Sequence, residues 1–512
     1  MFQFFKDRIV DKSVYIYILI LSSLVPISSM LNPQLRNDEV LTFLINVNIL
    51  NYLYDFEFKN ILVELFKDWH PPGRNLFSIT SIFIFGESIF ALRLPYYLLW
   101  IASCFLSFKI TKIFSSNNLP GFLSTTLIAG SGLFHMQIMG FGHGVVTFFG
   151  LLIIYKLSNY FKKNNTFIPF KEFNIICGLS FICFLFFNTF ILITINLYLI
   201  QFFLILKNNN KFLIKFFISS FLIGSLHIIY LLLFLGLPYL IVNEPQFIDL
   251  LIKFFGNFNF GNWDYKPFGQ YHQYLIRGEA TSLNYESFIS NISYLNWHFF
   301  PFISIIIIPI SIIYIYLKHK YIFILLLPYF FITSFFMQGN TANHFASMFI
   351  WLLPFFSLFV SKVFFDNKSK VVILIFSIIL ISFTLFYHVK PYNEKNYPFT
   401  LIEKFNGLLI WPPNLNRPLK NISEEIKKYN NNNVEIGTSI DDAMTHFYFR
   451  DSSITKLKYD DLKILAEQNL CENKLKKIKV LIYMNTFPRP CSKIIKKVLK
   501  FNNSNIVVFL LN

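Results

Sequence analysis

The sequence predicts a polytopic α-helical membrane protein with a small α/β domain at its C-terminal end. Three observations predict it. Hydrophobic residues fill 54% of the 512 positions and charged residues only 14%, where a soluble domain carries roughly 25% charge. Apolar segments of about 17–25 residues, the length that crosses a bilayer as helix, recur through most of the chain. Charge is also unevenly shared: the first 388 residues hold 41 charged side chains and the last 124 hold 32, the second density being that of a soluble domain. An aromatic content of 20% excludes a disordered chain. The net charge of +17 fits basic loops beside anionic lipid. No zinc-finger spacing or RNA-binding signature accompanies it, so nucleic acid is not an expected partner.

Taken in order, the candidate spans start near Val14, Asn75, Leu94, Gly121, Val145, Ile175, Phe190, Phe212, Phe299, Tyr321, Ala346 and Val371. They make about 11–13 spans, since short adjacent runs merge easily. Lys6, Arg8 and Lys12 precede the first span and predict a cytoplasmic N-terminus. The stretch Val14–Leu31 is long and lacks a small-x-small cleavage site, which favours a retained anchor over a signal peptide. Later loops do not alternate in charge, because Lys109/Lys112 and Lys156/Lys162/Lys163 are both basic sets. Three segments break the apolar pattern: residues 32–73, residues 243–297 and the tail 389–512. Residues 1–388 are thus read as the transmembrane domain, with loops 32–73 and 243–297, and residues 389–512 as the α/β domain. Long polar loops are usually functional.

Within the tail, Val434–Thr438, Val480–Asn485 and Ile506–Leu511 read as strands, and Leu419–Tyr429, Asp441–Phe449 and Ser492–Phe501 as helices. Asp441-Asp442 would open a helix, where acids complement the dipole. Cys104, Cys177 and Cys183 lie in apolar runs and read as inert packing residues. Cys471 and Cys491 could pair if the tail is extracytoplasmic.

The first loop is the most informative. It opens with Asn32-Pro33-Gln34-Leu35-Arg36-Asn37-Asp38-Glu39 and closes with Asp68-Trp69-His70-Pro71-Pro72-Gly73-Arg74-Asn75. Between them, Val40–Leu53 and Ile61–Trp69 read as helices along the membrane interface. Pro71 keeps His70 extended, and Pro72 suits the first turn of the next helix. One reading is an interfacial anchor, with Asp38-Glu39 solvated and His70 and Arg74 facing headgroups. Against it, an acidic pair near a bilayer is costly unless water or a cation satisfies it.

The order of these pieces is similar to that in the GT-C glycosyltransferases. Asp38-Glu39 follows the first span, His70-Pro71-Pro72 opens the second, and Gly86-Glu87-Ser88-Ile89-Phe90-Ala91-Leu92-Arg93-Leu94-Pro95 comes next. This resembles the protein O-mannosyltransferases and the 4-amino-4-deoxy-L-arabinose lipid A transferases over about residues 1–110. Asn343-His344-Phe345 followed by Pro354 resembles a late segment of these enzymes, and the tail is like their extracytoplasmic domain. The chain departs from them at His135-Met136-Gln137-Ile138-Met139-Gly140-Phe141-Gly142-His143, where many relatives carry an acid or an Arg-containing motif. That departure weakens a two-carboxylate metal site. It leaves open a histidine as the second anchoring group, or His135 and His143 as structural or pore-lining residues.

The resemblance implies a sugar on a polyprenyl phosphate as donor, an extracytoplasmic lipid, glycan or protein as acceptor, and displacement with inversion. It implies a multi-pass protein of the cell membrane, the bacterial inner membrane in these relatives. A carboxylate would orient the acceptor and take its proton, the role implied for Asp38 with Glu39 assisting. Cations would meet the charge developing on the leaving phosphate. His70 and Arg74 are the candidates in the first loop, Lys266 and Arg277 in the second, and His344 beside the polar turn 338–343. Pro71, Gly86, Arg93 and Pro95 match the structural part of the motif. No cofactor is required outright; a divalent ion stays open, with Asp38 as its ligand. His227 lies inside an apolar run and reads as a bundle residue. The competing function is a transporter or lipid flippase, which would place ionisable residues or broken helices at mid-membrane. Here charges gather at the ends of spans.

Overall fold

A computed structural model of the chain describes residues 14–24, 37–67, 72–130, 142–163, 168–187, 190–208, 210–243, 303–335 and 342–364 of the helical part. In the tail it describes 435–438, 454–456, 479–484, 495–500 and 506–511, and a few isolated positions elsewhere, Gln137 and Asn291 among them. The chain divides into two compact units. One comprises Met1–Pro33 and Ile45–Leu408; the other comprises Gln34–Leu44 and Leu409–Asn512.

The helical elements are α1 (Val14–Leu24), α2 (Asn37–Tyr54), α3 (Phe58–Lys67), α4 (Pro72–Phe77), α5 (Ile79–Phe85), α6 (Ile89–Phe114) and α7 (Leu119–Ala129). There follow α8 (His143–Lys163), α9 (Phe170–Phe184), α10 (Ile191–Asn208), α11 (Leu213–Asn243), α12 (Ile303–Lys318), α13 (Lys320–Phe335) and α14 (Ala342–Phe364). Among the described residues five helices are long and apolar enough to cross a membrane: α6, α8, α10, α11 and α14. Helices α1, α7, α12 and α13 are apolar but shorter. The chain is a multi-pass membrane protein. Its outer surface agrees, since Ile214 and Phe221 on α11 are each 75% exposed, which suits lipid and not water.

The span expected from Asn75 is instead two short helices, α4 and α5. The break falls at Ser78, whose hydroxyl donates to the Leu92 carbonyl at 2.8 Å and ties the turn to α6. Pro72 does open α4, as its fixed φ favours. Gly86 ends α5 with φ +78°, a left-handed value that suits glycine. Ser88 then caps α6, its side chain accepting from the Ala91 N–H at 3.2 Å. Pro95 sits inside α6, where it removes one helical hydrogen bond. The span expected from Val371 lies outside the described residues.

Helix α6 is the hub of the membrane unit, packing on α5, α7, α8 and α14. Its buried face carries Arg93, Tyr96, Trp100, Cys104 and Phe108, which recur at helical spacing. Small polar residues let helices approach: Ser107 pairs with Ser124 between α6 and α7, and Ser180 with Thr194 at 2.6 Å between α9 and α10. Asn196 donates to the Leu325 carbonyl at 3.2 Å, close to Pro328, where α13 is locally interrupted.

The second unit contains a five-stranded mixed sheet in the order β2-β1-β3-β5-β4. Its strands are β1 (Ile436–Thr438), β2 (Ile454–Lys456), β3 (Val480–Met484), β4 (Ile495–Lys500) and β5 (Ile506–Leu511). β1 runs parallel to β2 and β3, and β5 runs antiparallel to β3 and β4. Strands β1, β3 and β5 fall where the sequence puts them. The segment 492–501 corrects its helix assignment, because Ile495–Lys500 is the edge strand β4 with a register shift between Ile495 and Lys497. Strand β2 had no sequence signal of its own. The helices expected at 419–429 and 441–449, the Asp441-Asp442 pair, Cys471 and Cys491 lie outside the described residues, apart from Glu425 and Ile426, which are helical.

Candidate functional site

The site is built from the residues that follow the first loop. Asp38 and Glu39 stand in the first turn of α2, where carboxylates complement the helix dipole. Glu39 is fully buried, which removes a purely solvated reading for that member of the pair. Buried carboxylates need pairing or hydrogen bonds, and Glu39 has such an interaction. His70, Pro71, Lys266, Arg277 and His135 lie outside the described residues. His344 is in the first turn of α14.

Arg74 lies on α4 and is 2% exposed. Two contacts fix its backbone. The preceding residue, Gly73, donates its N–H to the Leu185 carbonyl at 3.1 Å. The Arg74 carbonyl accepts from the Tyr96 hydroxyl at 3.5 Å. The ring of Phe77, one turn on, lies 5.0 Å from Tyr96 and 5.5 Å from Phe186. Arg74 is thus held inside the bundle end, not at its rim. Arg93, one turn before Tyr96 on the same buried face, is 3% exposed.

Gln137, Gly142 and His143, from the segment that departs from the resembling family, are described beside Tyr96. The body of Tyr96 lies 3.6 Å from where a Cβ at Gly144 would stand, and Gly144 itself abuts the Gln137 carbonyl. Gly142 has φ +83° and turns the chain into α8; its carbonyl accepts from the Val145 and Val146 N–H groups at 3.0 and 3.2 Å. His143 opens α8, is 5% exposed, and stacks on Phe187 with centroids 4.6 Å apart. Thr147, in the next turn, donates its hydroxyl to Gln137 Oε1 at 2.6 Å. Its carbonyl accepts from Trp351 Nε1 at 3.1 Å, which locks the head of α8 to α14.

Arg74, His143 and Gln137 are thus each buried, and Tyr96 reaches both the Arg74 carbonyl and the turn at Gly144. Their chemistry suits an oxyanion. Among the described residues no three His, Cys, Asp or Glu side chains gather as metal ligands. The sequence marks Arg74 as a candidate and reads His143 as structural or pore-lining; Tyr96, Gln137, Thr147 and Trp351 carry no such signal from pattern alone. A glutamine inside the apolar stretch Met136–Met139 is the nearest to one. His227 packs as expected, with Nδ1 2.9 Å from the Ile223 carbonyl and its ring against Phe181 and Phe184. Cys104, Cys177 and Cys183 are buried free thiols.

No protein-family model matches the chain, and no curated protein matches it in sequence. Solved structures do. ArnT from Cupriavidus metallidurans, bound to undecaprenyl phosphate, aligns over 98% of this chain and 97% of its own, with TM-score 0.50 and 9% identity. The apo form of that protein gives TM-score 0.49 at 10% identity, over 98% of each chain. The Archaeoglobus fulgidus oligosaccharyltransferase in the apo form gives TM-score 0.49 at 11% identity, over 92% of this chain and 69% of its own. The likeness to the ArnT complex shows the fold alone, and the structure it points to is of the kind that the Asp-Glu, His-Pro-Pro and Arg-Leu-Pro sequence resembles.

Proposed function

We propose that the protein is a membrane glycosyltransferase that moves a sugar from a polyprenyl-phosphate carrier to an extracytoplasmic acceptor. The observation that carries this reading is the burial of Arg74, a phosphate-matching guanidinium, beside Tyr96 of α6, in a chain with the fold of the ArnT structure. The ArnT neighbour binds undecaprenyl phosphate, which supports a lipid phosphate as the leaving group here. The acceptor is a lipid, glycan or protein with a free hydroxyl or amine.

In this reading Asp38 orients the acceptor and removes its proton, with Glu39 assisting. Arg74 meets the phosphate as the glycosidic C–O bond breaks, where charge develops on the leaving oxygen. His70, Lys266, Arg277 and His344 are further candidates for the phosphate. Attack from the face opposite the phosphate inverts the anomeric centre in one step. Arg93 and Pro95 shape the start of α6. The full set of about 11–13 spans, the cytoplasmic N-terminus and an extracytoplasmic tail belong to the same reading. The rival reading, a transporter or flippase, is disfavoured by where the charge lies, since the described ionisable groups near Arg74 gather at one end of α6 and α8.

The test is a comparison by mass spectrometry of envelope lipids and glycans in cells with and without the gene. It is paired with transfer from a polyprenyl-phosphate-linked sugar in isolated membranes. A glycoform that disappears with the gene and returns with transfer in membranes supports the reading. Unchanged glycans, with carrier lipid redistributed between leaflets, would support the flippase instead.

A further inference from the structure

Gln137 and Thr147, at the first turns of α8, are left unused by the reaction above. Gln137 is fully buried. Its Oε1 is taken by the Thr147 hydroxyl at 2.6 Å, so the side chain is pinned against the first turn of α8. Its Nε2 is buried and has no hydrogen-bond partner among the described residues. A buried donor left unsatisfied is costly, and a native site keeps such a group for a reason. Through Thr147 it sits against the first turns of α8, whose N-terminal end carries positive potential. Helix α8 has 21 residues, and its N-terminus starts at His143. Tyr96 bridges Gly144 to the Arg74 backbone.

Resting on the function proposed above, we propose that Gln137 is a binding residue whose Nε2 donates to a phosphate oxygen of the polyprenyl carrier at the head of α8. Thr147 is its positioning residue: by donating to Oε1 it turns Nε2 toward the ligand. Gln137, His143 and Arg74 are all at least nine-tenths buried, so the oxygen they meet enters with the lipid and not with bulk water. An amide donor at this place also favours an anion over a metal ion, which a carboxylate here would reverse.

The experiment measures binding of undecaprenyl phosphate to the purified full-length protein in detergent, with inorganic phosphate as competitor. Variants are Gln137→Glu, Gln137→Met and Thr147→Val, each checked for folding by thermal unfolding. Gln137→Glu keeps the Thr147 bond and replaces the donor by a charge of the wrong sign. Gln137→Met keeps length without a donor and serves if the glutamate variant does not fold. The expected result is a loss of affinity of roughly tenfold to a hundredfold for Gln137→Met, the worth of a hydrogen bond to a charged group. The loss is larger for Gln137→Glu and smaller for Thr147→Val, and phosphate competes only where Gln137 is intact. Wild-type affinity in both Gln137 variants overturns the assignment of Gln137. A wild-type protein that does not bind the lipid overturns the proposed function instead.

Discussion

The N–H of Gly73 donates to the main-chain carbonyl of Leu185 at 3.1 Å, and a Cβ at position 73 would stand 2.5 Å from that same oxygen. The contact holds the residue before Arg74 against the end of α9. Because the obstructing atom is backbone, no side chain can swing away to admit a methyl group.

Gly73→Ala is therefore expected to displace α4 and Arg74 with it. The midpoint of thermal unfolding falls and sugar transfer drops by about an order of magnitude, since small misplacements of a binding group cost that much. Gly178→Ala on α9 is the matched control, because a Cβ there meets nothing within 4 Å. Equal behaviour of the two variants would dismiss the contact as a constraint.

Gly150→Ala tests the join of α8 to α14. A Cβ at Gly150 would run into the Trp351 indole, whose N–H donates to the Thr147 carbonyl. Overpacking of this kind costs about 1–3 kcal/mol. The variant should unfold at lower temperature and bind lipid phosphate more weakly, as the head of α8 shifts. A melting curve that overlays the wild type would show that Trp351 repacks freely.

Arg74→Lys keeps the charge and loses the planar fork. Weaker binding of the carrier phosphate is expected, so that KM for the lipid-linked sugar rises by roughly tenfold while kcat moves less. Arg74→Gln removes the charge as well and should lose more. Unchanged KM in the lysine variant would mean that the fork makes no bidentate contact with the phosphate.

His319, between α12 and α13, gives a pH dependence. Its ring lies 4.2 Å from Phe114, 5.5 Å from Phe355 and 5.6 Å from Tyr314. Burial first, and then the charge of Lys318, lower its pKa from 6.5 to about 4. Between those values the unfolded chain takes up a proton that the folded chain refuses. Stability is thus fully present above pH 6.5 and is lost as pH falls toward about 4. Thermal unfolding in detergent from pH 7.5 down to about 4.5 should show the decline, and His319→Phe should flatten it. A parallel decline in both proteins would assign the loss to other groups.

The membrane helices were legible because apolar length is a strong signal and lipid leaves few alternatives. The span at Asn75 was misread because its hydrophobicity is continuous, while the break depends on one hydroxyl, Ser78, finding a carbonyl on α6. β4 was misread for a different reason. Ile494, Ile495, Val498 and Leu499 recur at helical spacing, and pairing with β5 overrides that pattern. Of the candidates, Asp38, Glu39 and Arg74 stand out in the sequence, because charge beside a membrane is costly. Tyr96, Thr147 and Trp351 do not, because each acts through a main-chain carbonyl or a neighbour that only the packing supplies.

The central claim is tested most directly at Asp38. Transfer from a polyprenyl-phosphate-linked sugar is measured in membranes carrying wild type or Asp38→Asn, with expression and lipid-phosphate binding checked in both. Transfer should fall to background in the variant while expression and binding of the carrier stay as in wild type. Transfer at the wild-type rate would contradict the assignment of Asp38 as the acceptor's base.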